Sequence, residues 1–450
     1  MPAADPGRPV PSPEDWRRET SRDFRFVDRR FDPSTGVVEL AYRLDGIDLR
    51  ECFRLPVEEG GSRCPEALDA ALDLLHWTAG ASYWKAGCPP SIAFEGRAPD
   101  AWQAAWLARL YREGLAEFAW RNGLDQAAWA AFPAGDASSG AVRCRLPRRS
   151  LVPMGGGKDS LVALERLRRR GEQPVTVQVG QAALIRHVAE VAGTPHMVIE
   201  REVDAKLATL NRRGAWNGHV PITAINAAVM IVLALVRGFD RVVFANEHSA
   251  DEATLHDEKG RPVNHQFSKS LEFETMLGEW IGRCITPDLS VFSILRRDRE
   301  LAVCREFAGL ERYHGVFSSC NRNFHLDGAR TERWCGHCPK CHFVFLALAP
   351  FLSPEALTAM FGANLLADDR QLPGFRSLLA IDGNKPFECV GEAGEARAAL
   401  AALADDPRWR DCAVVAGLAP VLAGLDVPDL DRLCRPARAH RIPDELLSDD

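Results

Sequence analysis

Seven consecutive residues carry the densest chemistry in the chain: Met154, Gly155, Gly156, Gly157, Lys158, Asp159 and Ser160. An apolar stretch precedes them and a helical pattern follows. Consecutive glycines let successive backbone N–H groups turn toward one anion with no Cβ in the way. A helix beginning at the end of the loop adds its free N–H groups and the positive end of its dipole. Lys158 can supply a point charge and Ser160 a hydroxyl donor, while Asp159 can orient a metal ion or the loop itself. The lysine does not stand where the GxxxxGKS/T phosphate loop requires it, and the glycine spacing of a dinucleotide fingerprint is absent. A glycine turn serving geometry alone is the competing reading. The Lys-Asp-Ser run between strand and helix favours an anion cradle.

Cys335, Cys338 and Cys341 form two overlapping Cys-x2-Cys units, with Cys320 fifteen residues earlier. Four thiolates can supply the tetrahedral shell that zinc prefers, and the short spacings let the backbone fold around an ion. Zinc is the expected metal, with an iron–sulfur cluster as the alternative. His337 or His342 can replace Cys320 as a ligand, and buried cysteines without a metal are the bland reading. Such a site is expected to join the end of one domain to the following helix without touching the reaction.

Polar residues with acid–base chemistry gather in three further stretches. Asn217, Gly218 and His219 precede an apolar helix, and Asn246, Glu247, His248, Ser249, Ala250 and Asp251 follow an apolar strand. Asn264, His265, Gln266 and Lys269 offer another histidine, two amides and a cation. A histidine titrates near neutral pH, so His219, His248 and His265 are candidates for proton transfer. Glu247 and Asp251 are alternative bases or metal ligands.

The elements that must position these groups change character along the chain. Alternating strands are expected at 24–30, 37–44 and 47–55, with turns at 32–36 and 45–46. Helical patterns follow at 65–79, 101–118 and 124–132, and 133–140 reads as a linker, which outlines an α+β domain over 1–148. Strands at 151–154, 175–179, 196–199 and 241–245 then alternate with helices at 160–169, 182–191 and 221–236. That alternation describes an α/β core over 149–311, a parallel sheet covered by helices. Its ligands should gather at the carboxyl ends of the strands, beside the glycine loop. The long polar stretch 246–269 shows little periodicity, helices are expected at 270–283 and 297–307, and no internal repeat is present. A cysteine knuckle at 312–345 and a mainly helical region at 346–450 complete the expected organisation.

At 450 residues the chain is long enough for two or three domains, and 46% hydrophobic with 26% charged residues describes a soluble globular protein. A net charge of -7 gives no support for nucleic-acid binding. The basic run at 166–170 reads as the wet face of a helix. The start, 1–13, is polar and proline-rich, unlike a secretory signal. The longest apolar run, 220–236, is short for a membrane span and contains Asn226. Thirteen cysteines, three of them within seven residues, suggest a reduced compartment and a metal site rather than a disulfide scaffold. The expected location is the cytoplasm, with no membrane association. Oligomeric state is not readable from the sequence.

The loop at 155–160 resembles the PP-loop of the ATP-pyrophosphatase superfamily, usually Ser-Gly-Gly-x-Asp-Ser. Gly155 replaces the first serine, while Gly156, Gly157, Asp159 and Ser160 keep the rest. The cysteine cluster resembles the zinc knuckle of the enzymes that make the 7-cyano-7-deazaguanine base. More broadly, 152–165, 217–226, 246–251, 264–273, 334–350 and 385–391 resemble the ATP-dependent epimerases that act on UDP-N-acetylmuramoyl-L-alanyl-L-glutamate. The resemblance implies inversion of the terminal L-glutamate of a peptidoglycan precursor, with ATP cut between its α and β phosphates. It further implies that Gly155, Gly156, Gly157 and Ser160 hold pyrophosphate, that Asp159 helps position Mg²⁺ and that Lys158 neutralises phosphate charge. Rival readings are an amidating, nitrile-forming or RNA-thiolating enzyme with the same loop, and an ATP-sensing module without turnover. Ammonia dependence would mark the first of these, and ATP binding without pyrophosphate release would mark the last.

Overall fold

The computed structural model describes residues 10–58, 64–129, 131–135, 140–324, 333–381, 383 and 385–447. The chain divides into two compact units that are not contiguous in sequence. Unit 1 comprises Met1–Leu146, Ile199–Gly238 and Glu279–Leu289, and unit 2 comprises Pro147–Val198, Phe239–Gly278 and Ser290–Asp450.

In unit 1, strands β1 (Asp23–Asp32), β2 (Val37–Leu44) and β3 (Ile47–Arg54) form an antiparallel meander. Asp45 and Gly46 both take positive φ, the conformation that a two-residue hairpin with matching twist demands. A fourth strand, β4 (Ser91–Phe94), runs parallel to β1. Inward-facing Phe24, Phe26, Leu40 and Tyr42 are buried, and the Tyr42 hydroxyl donates to the His76 carbonyl on the helix Pro65–Ala79. The helix Ile222–Arg237 packs on Pro65–Ala79, and its residues from Ala227 to Leu235 are all buried. Among the described residues no helix is long and apolar enough to cross a membrane.

Two segments that the alternation of strand and helix placed within 149–311 therefore belong to unit 1, because their hydrogen bonds lie there. Glu200–Val203 of strand β7 (His196–Val203) pairs antiparallel with β3. Ala141 and Val142 donate their N–H groups to Arg283 and Ile285. Cys64 and Cys144, 80 residues apart, form a disulfide with Cα atoms 5.5 Å from one another. The proximity of this pair is created only by the folded chain, and the other cysteines are free.

Unit 2 contains the parallel sheet. Strands β5 (Ser150–Pro153), β6 (Val175–Val179) and β8 (Arg241–Phe244) pair in the order β8-β5-β6, all parallel. The long polar stretch after β8 is organised rather than structureless, with a small hairpin of β9 (Leu255–His256) and β10 (Pro262–Val263). Strand β11 (Ser290–Ser293), which no sequence pattern announced, adds to the free side of β8. The helix expected at 124–132 is replaced by a three-residue turn, Gln126–Ala128, while a helix at Ala205–Arg212 was not foreseen.

One core runs through unit 2. It joins Val152, Val243 and Phe292 of the sheet and Leu161 of the helix Lys158–Arg169 to Cys341, Phe345, Ala399 and Trp409 of the C-terminal region. The knuckle and the helical region, expected as segments 312–345 and 346–450, thus share the hydrophobic interior of the glycine-loop sheet. Arg166 is not on a solvated face: it pairs with Asp298 and Glu306 at 2.5 Å each.

Candidate active site

The glycine loop leaves β5 and enters the helix Lys158–Arg169. Gly156 has φ +78°, and a Cβ there would lie 2.7 Å from Leu184 Cδ2. A Cβ on Gly157 would lie 2.6 Å from Ser319 Oγ, whereas one on Gly155 would meet nothing within 4 Å. The Ser160 hydroxyl donates to the Gly157 carbonyl at 3.1 Å and so braces the loop.

Parallel pairing of β5, β8 and β11 brings the segments that follow them to one edge, as open parallel sheets require. Carboxylate oxygens of Asp159, Glu247 and Glu300 lie within 4.8 Å of one another there, a group that could hold a metal ion. Lys158 is buried and its ammonium bridges Asp159 and Glu300. Burial alone would lower the pKa of Lys158, but the two carboxylates more than offset it and raise the value. Burial pushes Glu300 up to about 7, and Glu247 is raised by burial and by repulsion from Asp159. Asp159 is held below the usual carboxylate range because Lys158, Lys340 and Lys269 outweigh its own desolvation.

Arg296, fully buried, fixes this edge. It donates to the Glu247 carbonyl at 2.9 Å, the Lys269 carbonyl at 2.6 Å and the Glu274 carboxylate at 3.0 Å. His248 Nδ1 lies 3.8 Å from Asp251 Oδ2, and Asp251 Oδ1 accepts the Leu271 N–H at the start of the helix Leu271–Trp280. Lys269 and His265 offset the burial of Cys389 and hold its thiol below the usual thiol range. His219 belongs to unit 1, where its Nδ1 is 3.7 Å from Glu117 Oε2 and the adjacent Asn217 accepts from Lys85 at 3.2 Å.

The sulfur atoms of Cys320, Cys335, Cys338 and Cys341 converge within 4.8 Å, a set that could hold a metal ion. Neither histidine beside them enters this set; His342 and His337 both meet Gln371, at 2.7 and 3.4 Å. The cluster does not stand apart from the glycine loop. Ser318 N–H donates to the Gly156 carbonyl at 2.9 Å, and the Ser318 hydroxyl accepts from Cys320 N–H. Lys340, between two of the cysteines, contributes positive charge to both Asp159 and Glu300. These contacts fasten the start of the cluster to the glycine loop.

Glu300, Arg296, Lys340 and Cys389 escaped the motif search. Lys340 and Cys389 do fall within stretches that the family resemblance singled out, 334–350 and 385–391, and a basic residue between two cysteines was the available signal. Glu300 and Arg296 carry no local signal, because only the pairing of β11 with β8 brings them to the glycine loop.

Comparison with known proteins bears on the same residues. The model of the MurL N-terminal domain matches residues 16–294, and that of the MurL C-terminal domain matches residues 316–430. A UDP-N-acetyl-alpha-D-muramoyl-L-alanyl-L-glutamate epimerase from Xanthomonas oryzae pv. oryzae is 45% identical over 432 residues, covering 94% of this chain and 95% of its own length. Proteins of the same name from Micromonospora sp. and Salinispora tropica are each 40% identical, covering 88% of this chain and 90% and 88% of their own lengths. Matched in both domains and over most of its length, the chain belongs to the MurL family.

Proposed function

We propose that this chain inverts the terminal L-glutamate of UDP-N-acetylmuramoyl-L-alanyl-L-glutamate in peptidoglycan precursor synthesis, consuming ATP and releasing AMP and pyrophosphate. The observation that carries this reading is the 45% identity, over nearly the full length of both chains, to an epimerase named for that substrate. The site chemistry supports it. A free carboxylate opposes loss of the neighbouring Cα proton, because the resulting carbanion adds charge to charge. Adenylation of the α-carboxylate replaces that anion with an electrophilic acyl group, so the proton becomes more acidic and the enolate can be stabilised.

In this reading the amides of Gly155–Gly157 cradle the pyrophosphate. Ser160 holds the loop in shape through the Gly157 carbonyl. Asp159 and Glu247 would hold Mg²⁺, which would supply positive charge for the polyphosphate. Lys158 keeps Glu300 and Asp159 compensated while the site is empty of phosphate, and Lys269 and Lys340 add attraction for the anion. Of the three candidate histidines for proton transfer, His248 and His265 lie in unit 2 and His219 in unit 1. Asp251 serves as the anchor of the helix that follows.

The four cysteines fit a structural zinc ion. Zn–S bonds of about 2.3 Å place sulfurs at the corners of a tetrahedron with edges of about 3.8 Å. Neighbouring sulfurs here stand 3.5, 3.7 and 4.0 Å apart. In a four-iron cluster each thiolate binds a different iron, which needs wider spacing.

The test is incubation with ATP, Mg²⁺ and the muramoyl dipeptide in D₂O. Pyrophosphate, AMP and a D-glutamyl product carrying deuterium at Cα are expected together. Nitrogen incorporation that depends on ammonia would replace this reading with an amidating one. ATP binding without pyrophosphate would leave a sensing module.

A further inference from the structure

Five lysines and arginines are buried among the described residues: Lys85, Lys158, Arg241, Arg296 and Lys385. All but the first face carboxylates. Lys158 pairs with Asp159 and Glu300, Arg241 with Glu172 and Glu445, Arg296 with Glu274, and Lys385 with Glu252. Lys85 is different. Only 4% exposed, it donates to the Asn217 side-chain oxygen at 3.2 Å, and among the described residues its ammonium meets no carboxylate. The residues around it all belong to unit 1. The Phe118 ring, 5.8 Å away, offers a π face but no counter-charge. The Cys88 thiol is no counter-ion either, because burial pushes its pKa up to about 12. Glu117, one residue before Phe118, is engaged by Arg121 at 2.6 Å.

Burying an ammonium without an opposite charge is costly, and lysine is almost never fully buried unless paired. Burial lowers the Lys85 pKa to about 8, which still leaves the group mainly protonated at neutral pH. Its one polar partner is an exposed residue. The Asn217 side-chain oxygen accepts from Lys85 and also from the Gly218 N–H at 2.9 Å, while Asn122 donates to the Asn217 carbonyl at 3.3 Å. Asn217 thus marks the side from which an anion can reach the buried charge. The segment is the one whose polar residues, Asn217 to His219, stand out in the sequence ahead of an apolar helix.

We infer that Lys85 and Asn217 form a receiving site for an anionic oxygen group of the substrate, an inference that rests on the function proposed above. The ammonium supplies the charge, and the Asn217 amide N–H supplies a directed donor. In that scheme the α-carboxylate is adenylated. The anion held at Lys85 is one that keeps its charge throughout, either the glutamyl side-chain carboxylate or the diphosphate of the UDP moiety. The unpaired lysine then destabilises the ligand-free fold, and the bound anion offsets that cost.

The experiment titrates the full-length protein and its Lys85→Met variant by calorimetry, with Mg²⁺ and α,β-methylene-ATP present. The ligands are UDP-N-acetylmuramoyl-L-alanyl-L-glutamate, the same compound ending in L-glutamine, and UDP. Lys85→Met should bind the glutamate compound about 10- to 100-fold more weakly, the loss of one charge-assisted hydrogen bond. If the side-chain carboxylate is the anion, the glutamine compound should bind both proteins equally. If the diphosphate is the anion, the loss should appear with all three ligands, UDP included. A loss with both dipeptides but not with UDP overturns the assignment to either group. Equal affinity of the two proteins for the glutamate compound, while wild type still inverts it with ATP, overturns the site alone. Failure of wild type to bind or invert it overturns the epimerase reading and this inference with it. A thermal melt of the ligand-free proteins separates a ligand site from a structural one. Lys85→Met should melt no lower than wild type, since methionine fills the space with no charge to bury. A marked drop makes Lys85 a structural residue and overturns the assignment. Asn217→Asp brings a carboxylate to the ammonium, so it should raise the melting temperature and weaken binding of the glutamate compound. Undiminished binding in that variant overturns the need for an unpaired cation.

Discussion

Ion pairs of the two units can lie in quite different solvents. On the sheet of unit 1, Arg43 pairs with Asp48 at 2.7 Å, with side chains 32% and 67% exposed. In unit 2, Lys158 with Glu300 and Arg296 with Glu274 are almost entirely withdrawn from water. Water screens the first kind, so an exposed pair contributes roughly 0–1 kcal/mol and its loss is tolerated. The second kind cannot be halved. Removing one partner strands a charge in the interior, at a cost of about 3–5 kcal/mol. The Arg43 pair lies on a surface, whereas the Lys158 and Arg296 pairs hold carboxylates and cations in place inside unit 2. Ion-pair number therefore says little about function, and the burial of the pair says much more.

The contrast breaks most sharply at Arg296. Arg296→Met should destabilise the protein by about 3–5 kcal/mol, because Glu274 and two backbone carbonyls lose their donor together. Urea unfolding at neutral pH measures it, and a loss below about 1 kcal/mol would place this arginine with the exposed pairs. A smaller effect is expected at Glu395, which accepts from Ser249 Oγ at 2.6 Å and Leu301 N at 2.9 Å. Burial pushes its carboxyl up to about 7, well above the unfolded value near 4.3. The folded state thus holds this proton more tightly than the unfolded chain. Its stabilising contribution is complete below the unfolded pKa and disappears as pH rises through about 7. Glu395→Gln should flatten the fall in stability between those limits, as followed by denaturation at several pH values. Glu300, also pushed up to about 7, would keep part of the slope. An unaltered slope in the variant would remove Glu395 from the titration. The smallest effect belongs to the surface. Arg43→Met should change unfolding free energy by less than about 1 kcal/mol, and a larger loss would show that the sheet of unit 1 depends on its charges.

What could be read in advance follows the distance over which each feature is encoded. The glycine loop, the cysteine spacing and the Asp45-Gly46 hairpin are local, and a few adjacent residues dictate each backbone path. Strands β2 and β6 and the helix Pro65–Ala79 fall where periodicity put them. Strand β11 is four residues long and buried at three of them, too short for alternation to register. The return of 199–238 and 279–289 to unit 1 depends on pairing with residues far away in sequence, as does the Cys64–Cys144 bridge. The site divides in the same way. Lys158, Asp159 and Glu247 flank strands that could be recognised, while Glu300, Lys340 and Cys389 reach the same edge through contacts no short window contains.

The hydrogen bond from Ser318 to the Gly156 carbonyl also orders events in time. A chain leaves the ribosome from its N-terminus, at about 5–20 residues per second. Once Ser293 has emerged, the glycine loop and strands β5, β6, β8 and β11 all exist. Ser318, Lys340 and the four cysteines do not, and Cys389 follows later still. The nascent protein thus carries an unfinished glycine-loop edge while the residues after Ser293 are being made. Metal capture by the last cysteines would be the step that closes it, so that a prematurely terminated chain has the loop but cannot complete the site around it.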